Sequence, residues 1–167
     1  GLLRSCSSGF CIEAFRKERR IVAVSGLSRG CGVSLCCSLL ASYAAVSGKF
    51  GEVAVVEIGD AYFYEALGME RRYFYREFTD FFDLLRCRKS IRGLKNKDEG
   101  INWIIKLPGE EKTELSAILR LMHSCEADTV FMDCSGIEEE LLGEINAEAD
   151  CCILVLDPMP TKLLDGF

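Results

Sequence analysis

Apolar positions fall into two rhythms along this chain. Short apolar, β-branched runs at Ile21–Ser25, Val53–Ile58, Ile101–Leu107, Thr129–Asp133 and Cys151–Leu156 have the pattern of strands buried on both faces. Between them, apolar residues recur at helical spacing. Gly32–Ser47 is small and apolar nearly all round, as suits a helix packed between a sheet and other elements, and Gly48 and Gly51 bracket its end. In Glu110–Ser124 the residues Leu115, Ile118, Leu119 and Met122 share one side, and Ile137–Ala147 is a further helix. Strands alternating with helices at these intervals predict an α/β fold with a mainly parallel sheet, flanking helices and right-handed crossovers.

Two stretches fit the alternation less well. From Ala61 to Leu85 the composition turns aromatic, and Phe74, Phe78, Phe81, Phe82 and Leu85 recur at helical spacing. Such a stripe is either core packing or a surface for a partner or membrane. Arg86–Gly100 is polar, basic and glycine-containing, and reads as a loop or insert. Residues 1–19 carry no clear period, with a short helix at Ile12–Arg19, and residues 1–20 read as an extension or linker. The chain begins at Gly1 without a methionine and stops at Phe167, where another helix begins; both ends read as cuts in a longer protein.

Composition narrows the classes. With 167 residues, 49% apolar and 28% charged, the chain suits one globular domain with a core of its own. No apolar run approaches the ~20 residues of a membrane span and no signal-peptide layout is present, so the expected address is the cytoplasm. A net charge of −6 argues against general nucleic-acid binding by charge alone. Basic residues do cluster at Arg16, Lys17, Arg19 and Arg20, and again from Arg86 to Lys97; these read as solvated surface or as a polyanion site. The ten cysteines form no CxxC pair, and one histidine completes no common zinc set. Buried reduced thiols are the expectation, with a redox or iron–sulfur site as the alternative.

The candidate chemistry lies between the first strand and first helix. A phosphate loop points backbone N–H groups at an anion from a helix N-terminus, and its glycines allow the tight approach. The full pattern is GxxxxGK[ST], with lysine on the phosphates and the hydroxyl on magnesium. Gly30, Gly32 and Ser34 match its second half; Leu27 stands at the first glycine position, with Gly26 before it, and Val33 replaces the lysine. Acids end two other strands: Glu57 and Asp60 after the second, Asp133 after the fourth. Carboxylates there face the crevice where open α/β sheets bind ligands, though each also serves as an ordinary helix cap.

With these residues in place, the chain from Ile21 to Phe167 resembles the ParA/MinD family of P-loop ATPases with a deviant Walker A loop, xKGGxGK[ST]. VAVVEIGD, ADTVFMDCSG and ADCCILVLDPMPTKLLDG resemble the family's acid-ended strands and its proline-containing loop. The resemblance implies a three-layer P-loop fold, incomplete at its C-terminus. It also implies an ATP or ADP cofactor with Mg²⁺. The cofactor-binding positions would be Ser28, Arg29, Gly30, Cys31, Gly32, Val33, Ser34 and Asp133, and the metal positions Ser34, Glu57, Asp60 and Asp133. The departures are as telling. The family's signature lysine falls at Ser28, its P-loop lysine at Val33, and the glycine between becomes Arg29. Each lost charge-assisted contact is worth roughly 1.5–3 kcal/mol, and phosphoryl transfer depends on such contacts. The same loss of lysine is similar to that in the pilus-assembly localisation proteins of the CpaE/TadZ type.

Three functions follow from this reading. One is a nucleotide-responsive or non-hydrolysing scaffold with no catalytic residue, which positions an assembly machine through a protein partner or a homodimer. Another is a slow ATPase using Arg29 in place of lysine. The third, a dinucleotide-binding enzyme, lacks the GxGxxG that should follow the first strand.

Overall fold

The computed structural model describes residues 19–74, 77–109 and 113–157. The expected N-terminal extension (save Arg19 and Arg20), the first residues of the helix read from Glu110, and the segment from Pro158 onward lie outside them. The elements run β1 (Arg20–Gly26), α1 (Val33–Ser47), β2 (Val53–Glu57), α2 (Phe63–Ala66), α3 (Met69–Arg72), α4 (Phe81–Arg86), β3 (Lys97–Asp98), β4 (Ile101–Ile104), α5 (Leu115–Ser124), β5 (Thr129–Asp133), α6 (Glu139–Glu148) and β6 (Cys151–Val155). The strands form one sheet in the order β3-β4-β2-β5-β1-β6, parallel except for the β3–β4 pair.

Two apolar clusters explain why the central strands read as continuous apolar runs. Successive side chains of a strand point to opposite faces, so Ala54, Val56, Val130 and Met132 join one cluster with α4, α5 and α6. Val53, Val55 and Phe131 join the other, with α1, Phe63 of α2 and Met69 of α3. The sheet is thus covered on both sides, as the expected α/β class requires.

The departures have local causes. The strand read as Ile101–Leu107 pairs only through Ile104, because β2 ends opposite it and the backbone N–H of Lys106 donates to a Glu57 carboxylate oxygen at 2.9 Å. The stretch read as a loop contains β3, which turns into β4 through Glu99 and Gly100, both at positive φ (48° and 83°), as a tight two-residue hairpin needs. Buried Asn96 anchors this segment. Its N–H donates to Asn102 Oδ1 at 2.8 Å, and its amide group donates to the Thr79 and Trp103 carbonyls.

The aromatic stretch is broken into three short helices, with Phe74 and Phe78 between α3 and α4. Asp80 starts α4 anew, its carboxylate accepting from the Asp83 N–H at 2.9 Å. Phe81, Phe82 and Leu85 are buried, Phe78 packs edge-on to Tyr64 and Tyr73, and Phe74 is exposed. Core packing, the first of the two readings, accounts for most of the stripe. Among the described residues the eight cysteines are free thiols. Burial pushes Cys125 up to about 11 and Cys134 to about 12, away from the thiolate form. No helix among the described residues is long and apolar enough to cross a membrane.

Candidate functional site: a glycine-loop cleft

The sheet register sets the site. Asp133 pairs with Val24 of β1 on one side and Glu57 of β2 on the other, so the ends of three central strands come level where the glycine loop leaves β1. The Cys134 N–H donates to the Val24 carbonyl at 2.9 Å and the Ile58 N–H to the Asp133 carbonyl at 3.0 Å, fixing that alignment past the last strand pair.

The loop then turns into α1. Gly30 and Gly32 take φ of 75° and 94°, and a side-chain carbon at either would meet nothing within 4 Å. Glycine is needed there for the backbone conformation, not for space. Gly32 is the N-cap of α1, with no side-chain cap and no acid in the first turn. The positive end of a fifteen-residue helix therefore opens on the cleft unneutralised.

The cleft has a volume of about 690 Å³. Its walls are the loop (Ser28, Arg29, Gly30, Gly32, Val33 and Ser34), Asp60 and Tyr62 on one flank, and Ser135 and Gly136 on the other. The two flanking loops touch: a side-chain carbon on Gly59 would overlap the Ser135 carbonyl oxygen. Arg29 reaches across the mouth to Asp60 at 3.3 Å, both side chains well exposed. Ser34 Oγ donates to Ser135 Oγ at 3.3 Å.

Two of the expected site residues turn their side chains away from the cleft, although the Val33 position borders it. Val33, where the lysine is expected, is buried in the apolar cluster beneath α1 and packs on Gly26 of β1. Cys31 also folds back over Gly26 rather than lining the cleft. Gly26, although not in the loop pattern proper, thus makes room for both side chains.

The two buried carboxylates behave differently. Glu57 is fully buried and engaged. Its Oε1 accepts from the Tyr62 and Phe63 N–H groups at 2.7 and 2.8 Å, and its Oε2 accepts from Lys106 N–H. Burial raises its pKa against the pull of these three bonds. It positions the segment after β2 and has little lone-pair capacity left for a cation. Asp133 is also fully buried, but only Oδ1 is satisfied, by the Ser135 N–H at 2.9 Å. Its Oδ2 is buried without a hydrogen-bond partner. Burial pushes this carboxyl up, while the nearby Ser34 hydroxyl, then the Ser135 amide and hydroxyl, favour its ionised form.

One residue escaped the sequence reading. Lys106 is buried, donates from Nζ to the Gly59 carbonyl at 3.0 Å and lies 5.7 Å from the centre of the Phe82 ring. Its signal was a single charge inside the apolar run INWIIKL.

No protein-family model matches the sequence, and no curated protein matches it. Among solved structures, the fold is similar to that of a plasmid partition protein from Borrelia burgdorferi B31, determined bound to AMPPNP. The match has a TM-score of 0.62 and 18% identity over 89% of this chain and 68% of that one. The two chains share a fold. The expected α/β P-loop architecture is therefore borne out by the sheet order and by this likeness.

Proposed function

We propose that this chain is a ParA/MinD-like P-loop protein that binds a nucleotide at the glycine-loop cleft and signals through a bound state rather than through rapid hydrolysis. The observation that carries it is the orphaned Asp133 Oδ2, buried beside an uncapped helix N-terminus. A buried carboxylate oxygen without a partner costs about 1–3 kcal/mol or more, and a bound cation relieves that cost. The similarity to a partition protein bound to AMPPNP supports the same ligand class.

The donor set fits a nucleotide with Mg²⁺ without the side chains of Cys31, Val33 and Glu57, three of the expected site residues. The N–H groups at Gly30, Gly32 and the first turn of α1 would hold phosphate oxygens, Ser34 would hold the cation with Asp133, fully buried and outside the cleft's lining, behind it, and Asp60 stands at the mouth. Glu57 keeps its place as the anchor of the adjoining segment. Mg²⁺ would supply charge neutralisation between the phosphates and this acidic floor. With Val33 in the core and serine at position 28, neither family lysine is present, so the positive charge supplied to a transferred phosphate is reduced.

The role that fits such a site is a localisation or assembly scaffold of the CpaE/TadZ kind, cytoplasmic, acting on a protein partner or as a homodimer. A second reading rests on Arg29. It lines the cleft, and release from Asp60 would free a guanidinium for the phosphates, giving a slow ATPase. Phosphate release from ATP with Mg²⁺ separates the two readings. The scaffold reading expects no turnover in the wild type and turnover only after Val33→Lys; turnover that disappears in Arg29→Ala overturns it in favour of the ATPase.

A further inference from the structure

The fold gathers cations that the sequence keeps apart. Arg88, Lys89 and Arg92 lie between α4 and β3, Arg120 lies on α5, and Arg19 precedes β1; all five line one cleft of about 580 Å³. One acid, Glu126, lines it with them. In a chain of net charge −6 this is a local reversal of sign, and a concave wall concentrates such a field.

Part of that charge is already engaged. Arg19 donates to the Met122 and Ala127 carbonyls at 2.8 and 3.2 Å, closing the C-terminal end of α5. Arg92 Nε meets Glu126 at 3.1 Å. Arg88, Lys89 and Arg120 are exposed and make no ion pair or side-chain hydrogen bond among the described residues. Several other surface cations are paired: Arg72 with Asp98 and Glu99, and Lys95 and Lys97 with Glu52. The turn bearing Arg88 and Lys89 is also held in place, because Ile91 is buried in the core cluster shared with α4 and α5.

The lining points to a class of ligand. Its one ring is the His123 imidazole, which faces Glu148 at 3.7 Å, and it carries no phenyl or indole platform of the kind that stacks successive nucleobases. Ser90 and Ser124 add hydroxyls beside guanidinium forks, which match phosphate oxygens in pairs. The volume falls within the range of small-molecule sites, about 300–1,000 Å³. We propose that this cleft binds a compact ligand carrying several phosphate groups, at a site that shares no lining residue with the glycine-loop cleft.

Calorimetric titration with tripolyphosphate, without nucleotide or Mg²⁺, tests this on the full chain. The variant Lys89→Ala/Arg120→Ala alters exposed side chains only, and its circular dichroism melt verifies the fold; Arg88→Glu is a second, independent variant. The expected result is binding that weakens about tenfold or more in both variants and is unchanged in Arg29→Ala. Affinity that survives in both cleft variants, or is lost in Arg29→Ala, overturns the proposal, as does the absence of binding to the wild type. Displacement of tripolyphosphate by a duplex oligonucleotide at lower concentration also overturns it, in favour of an extended polyanion.

Discussion

Replacing Asp133 by Asn should make the ligand-free protein more stable while removing its response to nucleotide. The side chain keeps its shape, and the remaining oxygen still accepts the Ser135 N–H that Oδ1 accepts now at 2.9 Å. What disappears is a buried charge whose Oδ2 has no partner. An unsatisfied buried group costs about 1–3 kcal/mol, and the new amide is itself unsatisfied though neutral, so a net gain of about 1 kcal/mol is expected. For a chain of this size that is a rise of roughly 2–4 °C in Tm at neutral pH. The pH dependence follows from the direction of the shift. Burial raises the folded carboxyl above its ordinary value of 3.8, so the folded wild type binds the proton more tightly than the unfolded chain. The charged-state penalty is therefore present at neutral pH and is relieved as pH falls through the raised pKa. The Tm difference between the two proteins should close on acidification. Glu57 is raised in the same direction, chiefly by its own burial, which both proteins share; the smaller part due to the Asp133 charge is lost in the variant. Differential scanning calorimetry from neutral pH downward reads this closure. A variant less stable than wild type at neutral pH, or a difference independent of pH, would refute the claim that Asp133 is held charged with its Oδ2 unpaired.

Further outcomes follow from the same geometry. Val33→Lys removes an apolar side chain from beneath α1 and should cost about 1–3 kcal/mol without ligand, a loss that ATP with Mg²⁺ restores if the new ammonium swings into the cleft; thermal shift with and without nucleotide checks both halves. Arg29→Ala breaks an ion pair between exposed groups, so Tm should move by no more than the ~1 kcal/mol such pairs contribute, while nucleotide affinity measured by calorimetry should fall. Gly59→Ala forces a carbon against the Ser135 carbonyl and should destabilise by about 2 kcal/mol or more, read by chemical denaturation. Glu57→Ala frees three backbone N–H groups and should cost about 3 kcal/mol or more. Because the sole tryptophan, Trp103, packs at 5.5 Å on Phe63, one of the residues Glu57 anchors, its fluorescence should report the change.

The fold was legible because its strongest signals are local. Five apolar runs and the helices between them follow from side-chain periodicity, and the alternation β1, α1, β2 survives unchanged in the structure. The aromatic stretch was harder, since its helical spacing runs through Asp80, whose capping bond starts a separate helix that periodicity alone does not mark. The hairpin at Glu99–Gly100 was hidden by a polar sequence, its stability coming from Asn96 bonds to Thr79 and Trp103. At the site, the loop and Asp133 stand out in sequence as glycines and a strand-end acid. The split between Glu57 and Asp133 does not, because both are acids ending apolar strands. Only the backbone N–H groups of Tyr62, Phe63 and Lys106 tell them apart. The basic cleft depends on long-range packing of α4, α5 and the segment before β1, so its charges are visible in sequence but their convergence is not.

Isothermal titration of the wild type and Asp133→Asn with AMPPNP and Mg²⁺ bears most directly on the glycine loop as a binding site. The account predicts micromolar binding by the wild type, worth about 8 kcal/mol, and its loss in Asp133→Asn although that variant remains folded. No binding by the wild type, or equal binding by both proteins, would contradict it.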